Sequence, residues 1–200
     1  MYRSITELFP NLASPPIICA PMAGVTGPAL CEAMLSANAL PFLAGGYSLP
    51  ESIPASCGIG FLVWHTPLAD AVSLVSQFSP PAVWLHGPAN RKQLVEWINA
   101  MQNVTPRPVL FYQCASVSDA QWAVDFGVKV IVAQGADSGG HGNSAGAGMV
   151  VLVSELADAV GSKAVVLAAG GIMDGRGVAA ALCAGAAGVV LGTRVLSPSR

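Results

Sequence analysis

The chain has 200 residues, of which 53% are hydrophobic and 10% are charged, and its net charge is -2 at pH 7. A chain of this length forms one domain or a slightly short α/β barrel, and so few charges indicate extensive burial, since typical domains carry about 25% charged residues. The slight negative charge and the lack of any Lys/Arg cluster argue against nucleic acids and anionic membranes as partners.

Short, continuously apolar runs bounded by Gly, Pro or polar residues recur along the whole chain. Runs of this kind are typical of parallel strands that are covered on both faces. They predict eight strands, at residues 16–20, 41–44, 58–63, 82–85, 108–112, 128–133, 164–168 and 188–191.

Most segments between these strands carry apolar residues at intervals of three and four, which is the spacing of an amphipathic helix. They predict six helices, at residues 28–37, 67–78, 90–101, 118–126, 150–160 and 175–184. Residues 41–60 contain turn residues and a weak helix at best, so we expect one irregular strand–helix unit there.

Alternating strands and helices fit either an open doubly wound sheet or a closed eightfold barrel, and the count of strands favours the barrel. The first strand-to-helix turn, at residues 21–27, also lacks the GxGxxG of a dinucleotide-binding sheet. We therefore predict one α/β domain over residues 1–200, a (β/α)8 TIM barrel. The last residues, from Gly192, follow an apolar strand without a closing helix, so we expect the barrel to be incomplete at its C-terminal end.

The five cysteines are scattered without CxxC spacing, so they predict neither a disulfide framework nor a zinc knuckle. Small, buried, reduced thiols suit the cytoplasm, which is the location we expect. The amino terminus lacks an apolar signal core, and the uncharged stretches are interrupted by proline and polar residues, so no membrane span is predicted. Three separated histidines without nearby carboxylates predict no metal site.

The most informative segment is the glycine-rich loop AQGADSGGHG at residues 133–142, which directly follows the sixth predicted strand. Glycines let a backbone approach a flat or anionic ligand closely and adopt left-handed conformations at little cost. The loop therefore predicts that His141 contacts a bound ligand. An imidazole with a pKa near ~6.5 can accept or donate a proton at cellular pH, so His141 is also the acid–base candidate.

Two further glycine-rich loops follow the seventh and eighth predicted strands, where barrels of this class commonly bind phosphate. Gly170, Gly171 and Gly192 would offer backbone amides to phosphate oxygens, Thr193 would add a hydroxyl, and Arg194 offers a further charge. Glycines at such junctions can also serve only to make turns. Two loops in adjacent final units favour the phosphate interpretation.

Four motifs occur in the order found in the nitronate monooxygenase family, formerly called 2-nitropropane dioxygenases, and the chain resembles this family over nearly its whole length. The motifs are APMAG at residues 20–24, QGADSGGHG at 134–142, AAGGI at 168–172 and LGTR at 191–194. Members of the family are barrel enzymes that carry FMN. The resemblance therefore implies that FMN is the cofactor.

The resemblance also implies roles for individual residues. Pro21, Met22 and Ala23 would lie near the isoalloxazine ring. Gln134 and Gly139 would lie at the flavin. Gly171, Gly192 and Thr193 would hold its phosphate. The fifth strand ends in Gln113 where the family often has a basic residue, and Gln113 could donate a hydrogen bond to the cofactor. In the family, the histidine that matches His141 faces the substrate, where it orients a nitronate or deprotonates a nitroalkane.

The activity implied by the resemblance is the oxidation of alkyl nitronates with molecular oxygen, in which the nitronate reduces FMN and oxygen completes the turnover. Two alternatives stay open. One is a flavin-dependent enoyl-acyl carrier protein reductase, because that family shares the histidine loop and the phosphate loops. The other is a truncated, non-catalytic flavin-binding barrel. The expected partners are a small nitronate or nitroalkane and oxygen, and homo-oligomers remain open.

Other polar and aromatic residues receive structural interpretations. His65 and His86 each follow a predicted strand and could face the same end of the barrel as His141, although lone histidines have many structural uses. Asp137 and Asp174 are interpreted as turn or helix-capping residues. The four tryptophans are mostly expected to pack between helices and strands, although Trp64 could abut a flavin or substrate.

Overall fold

The computed structural model describes residues 4–140 and 146–196. Its eight parallel strands form a closed barrel in which each strand pairs with its sequence neighbours and the first pairs with the last. The predicted (β/α)8 TIM barrel is confirmed. The strands are β1 (Ile17–Cys19), β2 (Leu40–Ala44), β3 (Gly58–Leu62), β4 (Ala82–His86), β5 (Val109–Cys114), β6 (Val130–Gln134), β7 (Val165–Ala169) and β8 (Val189–Leu191).

Helices alternate with the strands along most of the chain, and all six predicted helices are present. The helices are α1 (Ile5–Leu8), α2 (Pro28–Ser36), α3 (Leu68–Phe78), α4 (Arg91–Gln102), α5 (Val117–Asp125), α6 (Met149–Val160), α7 (Gly175–Cys183) and α8 (Thr193–Leu196). Residues 45–57, between β2 and β3, contain no helix, in agreement with the irregular unit predicted there. None of the helices within the described ranges is both long and apolar enough to cross a bilayer.

Aromatic rings fill the middle of the barrel. The ring of Phe42 lies 5.1 Å from that of Trp84 and 4.8 Å from that of Phe111, measured between centroids, and all three side chains are buried. Gly58 faces Phe42 across β2 and β3, and a Cβ at Gly58 would come 2.5 Å from the phenyl ring. The glycine therefore makes room for the ring, whose burial stabilises the fold by about 1.5–3 kcal/mol.

A second apolar layer separates the barrel from its helices, and α4 shows how the sequence produces it. Leu94, Trp97, Ile98 and Met101 recur at three- and four-residue spacing, and all four are buried. Asn90 starts the helix, because its side chain accepts a hydrogen bond from a backbone N–H of the first turn. The apolar residues that recur with this spacing in the sequence thus form the face that α4 packs against the barrel.

The closed topology brings all the strand ends to one rim, because parallel strands finish at the same end of a barrel. Along each strand alternate residues point inwards, and near the ends of β4, β5 and β6 the inward residues are polar. They are His86, Gln113 and Gln134, each half-buried. This rim is where a polar ligand can be held above an apolar interior.

Candidate functional site

A cavity of about 680 Å³ opens at this rim, a volume within the range of roughly 300–1,000 Å³ that is common for cofactor and ligand sites. It is bordered by strand ends and by the loops after β1, β6, β7 and β8. All ten residues predicted from the sequence as cofactor contacts line it. They are Pro21, Met22, Ala23, Gln113, Gln134, Gly139, Gly170, Gly171, Gly192 and Thr193.

His141, the predicted catalytic residue, lies outside the described residues, which end at Gly140 before the gap and resume at residue 146. The preceding part of its loop, from Asp137 to Gly140, lines the cavity. The role of His141 therefore stays a prediction that rests on the sequence.

The loop after β6 is held in place by Asp137. Both carboxylate oxygens of Asp137 accept hydrogen bonds from the backbone N–H of Met149, each at 3.2 Å, at the start of α6. The residue before Met149 is Gly148, which has no side chain to cap the helix, so Asp137 supplies the cap from eleven positions earlier in the chain. The capping role predicted for Asp137 is confirmed.

Asp137 also explains two glycines that border the loop. A Cβ at Gly135 would collide with the Asp137 carboxylate, and one at Gly170 would come 2.5 Å from its Oδ1. Gly170 has a φ of +131°, which favours glycine as well. The sequence indicated Gly170 only as a phosphate contact, but the structure shows that it must also leave space for Asp137.

Glycines bring three loops together at the side of the cavity where the sequence predicts a phosphate. Gly171 has a φ of +61°, in the left-handed region. A Cβ at Gly139 would lie 3.7 Å from Thr193 Oγ1, and one at Gly192 would lie 3.5 Å from Met22 Sδ. The loops after β1, β6 and β8 are therefore in close proximity at this side. Arg194, which the sequence offered as a further charge, is not among the residues that line the cavity.

The polar wall of the cavity depends on a contact that the sequence did not reveal. Trp84 donates a hydrogen bond from Nε1 to Oε1 of Gln113 at 2.9 Å. Because the carbonyl oxygen of Gln113 is engaged in this bond, the amide Nε2 is the group that Gln113 offers as a donor. The one sequence signal for this pair is that both residues occupy inward-pointing positions, Trp84 on β4 and Gln113 on the neighbouring β5.

The first loop is organised by Thr26, a residue that the sequence interpretation missed. Its buried hydroxyl donates to the carbonyl of Ala20 at 2.9 Å and accepts from the backbone N–H of Met22 at 3.0 Å. These two bonds fix the chain on both sides of Pro21. No motif flags such a residue, because its function is to satisfy the backbone of a turn.

Ser138 is a second residue that was missed. It lines the cavity, its Oγ is buried, and no described residue forms a hydrogen bond with that oxygen. A buried hydroxyl without a protein partner carries a cost of about 1–3 kcal/mol, so its presence at a cavity indicates a ligand or water that bonds to it.

Of the two other histidines, the structure brings only His86 to the cavity. The ring of His65 is exposed and lies 5.3 Å from that of Tyr47 and 5.2 Å from that of Trp64. Trp64 is 49% exposed and lines a neighbouring cavity instead of the main one. Asp174 caps α7, as predicted, by accepting from the backbone N–H of Arg176 at 2.9 Å.

Cys19, Cys57 and Cys114 behave as packing residues, whereas a hydrogen bond with Cys57 lowers the pKa of Cys31. Four of the five are buried, and only Cys183 is exposed. Burial raises the pKa of Cys19 and of Cys114 to about 12, and contact with Cys31 together with burial raises the pKa of Cys57 further. A thiolate nucleophile needs a lowered pKa, so these three residues are not suited to that chemistry.

A family model and a curated relative name the same family. The family model described as nitronate monooxygenase matches residues 63–199. A nitronate monooxygenase of Metarhizium robertsii is 38% identical over 225 residues, in an alignment that covers 98% of this chain and 63% of the relative. The chain therefore spans somewhat less than two thirds of that relative.

Two solved structures with similar folds carry different names. FabK from Thermotoga maritima has a TM-score of 0.81 and 27% identity, over 98% of this chain and 63% of its own. A nitroalkane oxidase from Streptomyces ansochromogenes has a TM-score of 0.73 and 25% identity, over 97% of this chain and 68% of its own. The match to the family model covers more than half of the chain, and the chain is assigned to a family on this basis.

Proposed function

The chain belongs to the nitronate monooxygenase family, and from this premise we propose that it is an FMN-dependent oxidoreductase that oxidises small alkyl nitronates with molecular oxygen. One observation carries the proposal: the ten residues named as cofactor contacts come from loops and strand ends far apart in the chain, and all of them line one cavity. The similarity to a nitroalkane oxidase supports the same class of substrate.

The residues present fit FMN. The cavity combines an apolar side, which includes Pro21 and Met22, with a glycine-rich side at which Gly139 and Gly171 are exposed. At Gly140, where φ is +74°, no atom of the described residues other than its chain neighbours lies within 4 Å of the Cβ position. Together with the hydroxyl of Ser138, to which no described residue forms a hydrogen bond, this surface suits a ligand with one flat apolar end and one anionic end.

When bound, FMN would supply the electron-transfer chemistry that amino-acid side chains lack. The protein's own contribution is binding and orientation. Gly171, Gly192 and Thr193 would hold the phosphate with backbone and hydroxyl donors. Gln113, oriented by Trp84, would donate an amide N–H towards the flavin.

The substrate end needs a group that recognises an anion or removes a proton from carbon. His141 is proposed for this role, because an imidazole can stabilise a nitronate as a cation or accept the proton of a neutral nitroalkane. Its position next to Gly140 in the sequence would bring it close to the cavity that Gly140 lines.

The test is reduction of the bound flavin. The FMN-loaded protein, mixed anaerobically with ethyl nitronate, should lose its visible flavin absorbance, and admission of oxygen should restore it. Persistence of the oxidised spectrum at millimolar nitronate would eliminate the proposed activity.

An enoyl-acyl carrier protein reductase is the second candidate, and the TM-score of 0.81 with FabK is the observation that keeps it open. Rapid oxidation of NADH with an enoyl thioester, together with no response to the nitronate, would favour it.

A non-catalytic barrel is distinguished with the same preparation. Such a protein would be colourless, or it would carry FMN that neither the nitronate nor NADH reduces.

A further inference from the structure

A second cavity of about 510 Å³ lies beside the proposed flavin site, at the ends of β4 and β5. His86, Gln113 and Gln134 line both cavities, so the two spaces share one polar wall. A small alkyl nitronate at this wall would leave most of the second cavity unfilled. The additional volume is sufficient for a substituent the size of an aromatic ring.

Aromatic side chains form the outer side of this space. Trp64 lines the second cavity, and its ring meets that of Tyr47 edge-on at a centroid distance of 6.4 Å. Tyr47 lines the first cavity, so the two rings form a continuous aromatic side from one cavity to the other. Large apolar side chains that stay exposed beside a cavity are typical of ligand-binding surfaces.

The indole of Trp64 is held in a defined position. A Cβ at Gly87 would lie 2.9 Å from Trp64 Cδ1, so the ring rests against bare backbone at a residue whose φ is +64°. The ring of His65 lies 5.2 Å from that of Trp64, measured between centroids. An aromatic surface that is already oriented loses little conformational entropy when a ligand packs on it.

The charges around the second cavity orient the ligand. Asp119 lines this cavity, and its carboxylate accepts a hydrogen bond from Ser116 Oγ at 2.8 Å and lies 3.3 Å from Arg91 Nη2. The donors beside Asp119, from Ser116 and Arg91, are therefore already engaged by its carboxylate. The shared wall carries the amide nitrogen of Gln113, which has two N–H donors, so one can meet the flavin and the other the nitronate. The nitronate therefore belongs at the shared wall, and a neutral ring belongs towards Trp64.

We propose that the second cavity is a substrate subsite that receives the ring of an aryl-substituted nitronate, with Trp64 as the residue that selects it. The inference rests on the proposed function, because it assumes nitronate oxidation at the first cavity. Stacking and edge contacts between aromatic rings, together with the buried ring area, provide the preference for an aryl over a methyl substituent.

The test compares phenylnitromethane nitronate with ethyl nitronate as substrates of the FMN-loaded protein. In Trp64→Ala, kcat/KM should fall about tenfold for the aryl nitronate and by less than about twofold for the ethyl nitronate, since loss of a ring contact is worth roughly one factor of ten. Trp64→Phe should retain most of the aryl preference. Trp64→Leu, which keeps apolar volume without a ring, should behave as Trp64→Ala and guards against a folding defect.

Phe126→Leu is the matched control. Phe126 is an aromatic residue with 40% exposure that lines neither cavity, and its replacement should leave both substrates unaffected. Binding is measured separately by calorimetry with phenylacetate and acetate, which share the planar anionic end of a nitronate. Phenylacetate should bind about tenfold more weakly to Trp64→Ala, with acetate unchanged.

The outcomes separate the two proposals. Absence of oxygen uptake with both nitronates would overturn the proposed function and the subsite with it. The subsite would be overturned, and the proposed function left intact, if the wild type oxidises ethyl nitronate normally and the Trp64 variants do not discriminate between the substrates. That is the case if Trp64→Ala and Trp64→Leu lower kcat/KM equally for the aryl and the ethyl nitronate, or lower it for neither.

Discussion

Trp84 and Gln113, on neighbouring strands of the barrel, are joined by a hydrogen bond of 2.9 Å from the indole Nε1 to the amide Oε1. Trp84 itself is buried among the interior rings, so the bond links the apolar core directly to the cavity wall. A residue that serves only the core would have no effect on a ligand. This pair is placed so that the core sets the orientation of a predicted cofactor contact.

The first prediction concerns this bond. Trp84→Phe keeps a ring in the core but removes the N–H donor, so the Gln113 amide can rotate and present its oxygen to the cavity. We expect FMN to bind about three- to tenfold more weakly, in line with about 0.5–1.5 kcal/mol for one hydrogen bond. Flavin fluorescence titration measures this. Trp97→Phe, a change at a buried tryptophan away from the cavity, should leave the dissociation constant unaltered.

Gly170→Ala is expected to destabilise the protein by more than about 1 kcal/mol, because the φ of +131° is unfavourable for alanine and the new methyl would press on Asp137 Oδ1. Denaturant unfolding measures the loss. The same change in an Asp137→Ala background should cost less, since only the backbone strain remains. Identical costs in both backgrounds would contradict the steric role assigned to Asp137.

Asp174 predicts a pH dependence of stability. The side chain of Arg176 and the backbone N–H groups at the start of α7 lower the pKa of Asp174 below its ordinary value. A carboxyl with a depressed folded-state pKa stabilises the fold above its unfolded pKa of about 3.9, and this contribution is lost as pH falls through the folded pKa. Wild type should therefore exceed Asp174→Ala in unfolding free energy at pH 7, with the pH-dependent part of the difference vanishing at acid pH. High salt should also reduce this difference in unfolding free energy, because the ion pair between Asp174 and Arg176 is exposed to solvent.

The cysteines give a prediction about reactivity. In the native protein at pH 7, a maleimide should label Cys183, because it is the exposed cysteine among the five. The other four are buried, and three of them have raised pKa values. Intact-mass spectrometry should show one adduct before unfolding and five afterwards. Rapid labelling of Cys114 in the folded state would contradict the packing described for it.

His141→Ala addresses the proposed catalytic role. FMN binding should be retained, because the predicted phosphate and ring contacts are other residues, while the rate of anaerobic flavin reduction by a nitronate or nitroalkane should fall by about 10²–10⁴. Stopped-flow absorbance separates this rate from binding. An unchanged rate would remove His141 from the mechanism.

The architecture of this protein was readable from local patterns. Continuous apolar runs such as the one that forms β6 are what a strand covered on both faces requires, and the spacing in α4 is that of a helix packed on one side. Gly170, Gly171, Gly192 and Thr193 could also be named, because glycine-rich loops after the last strands have a local signature, whereas the other candidate cofactor residues followed from the resemblance to a known family. Their convergence followed from the closed barrel, which places all strand ends at one rim.

Other features depended on contacts between distant parts of the chain. Nothing near Gln113 in sequence indicates that Trp84 orients it, and nothing near Gly170 indicates that Asp137 occupies the space beside it. The position of Trp64 relative to a second cavity likewise emerges only when β3, β4 and β5 are side by side.

The sequence by itself determined the fold class, the family and the identity of the candidate site residues, because these depend on periodicity and on short motifs within single loops. Tertiary structure alone decided which side of Gln113 faces the cavity, why Gly170 must be a glycine, and which histidine of the pair His65 and His86 reaches the site. The physical reason is that hydrogen-bond direction and steric exclusion are set by atoms a few ångströms apart in space. In a barrel those atoms belong to different strands and loops.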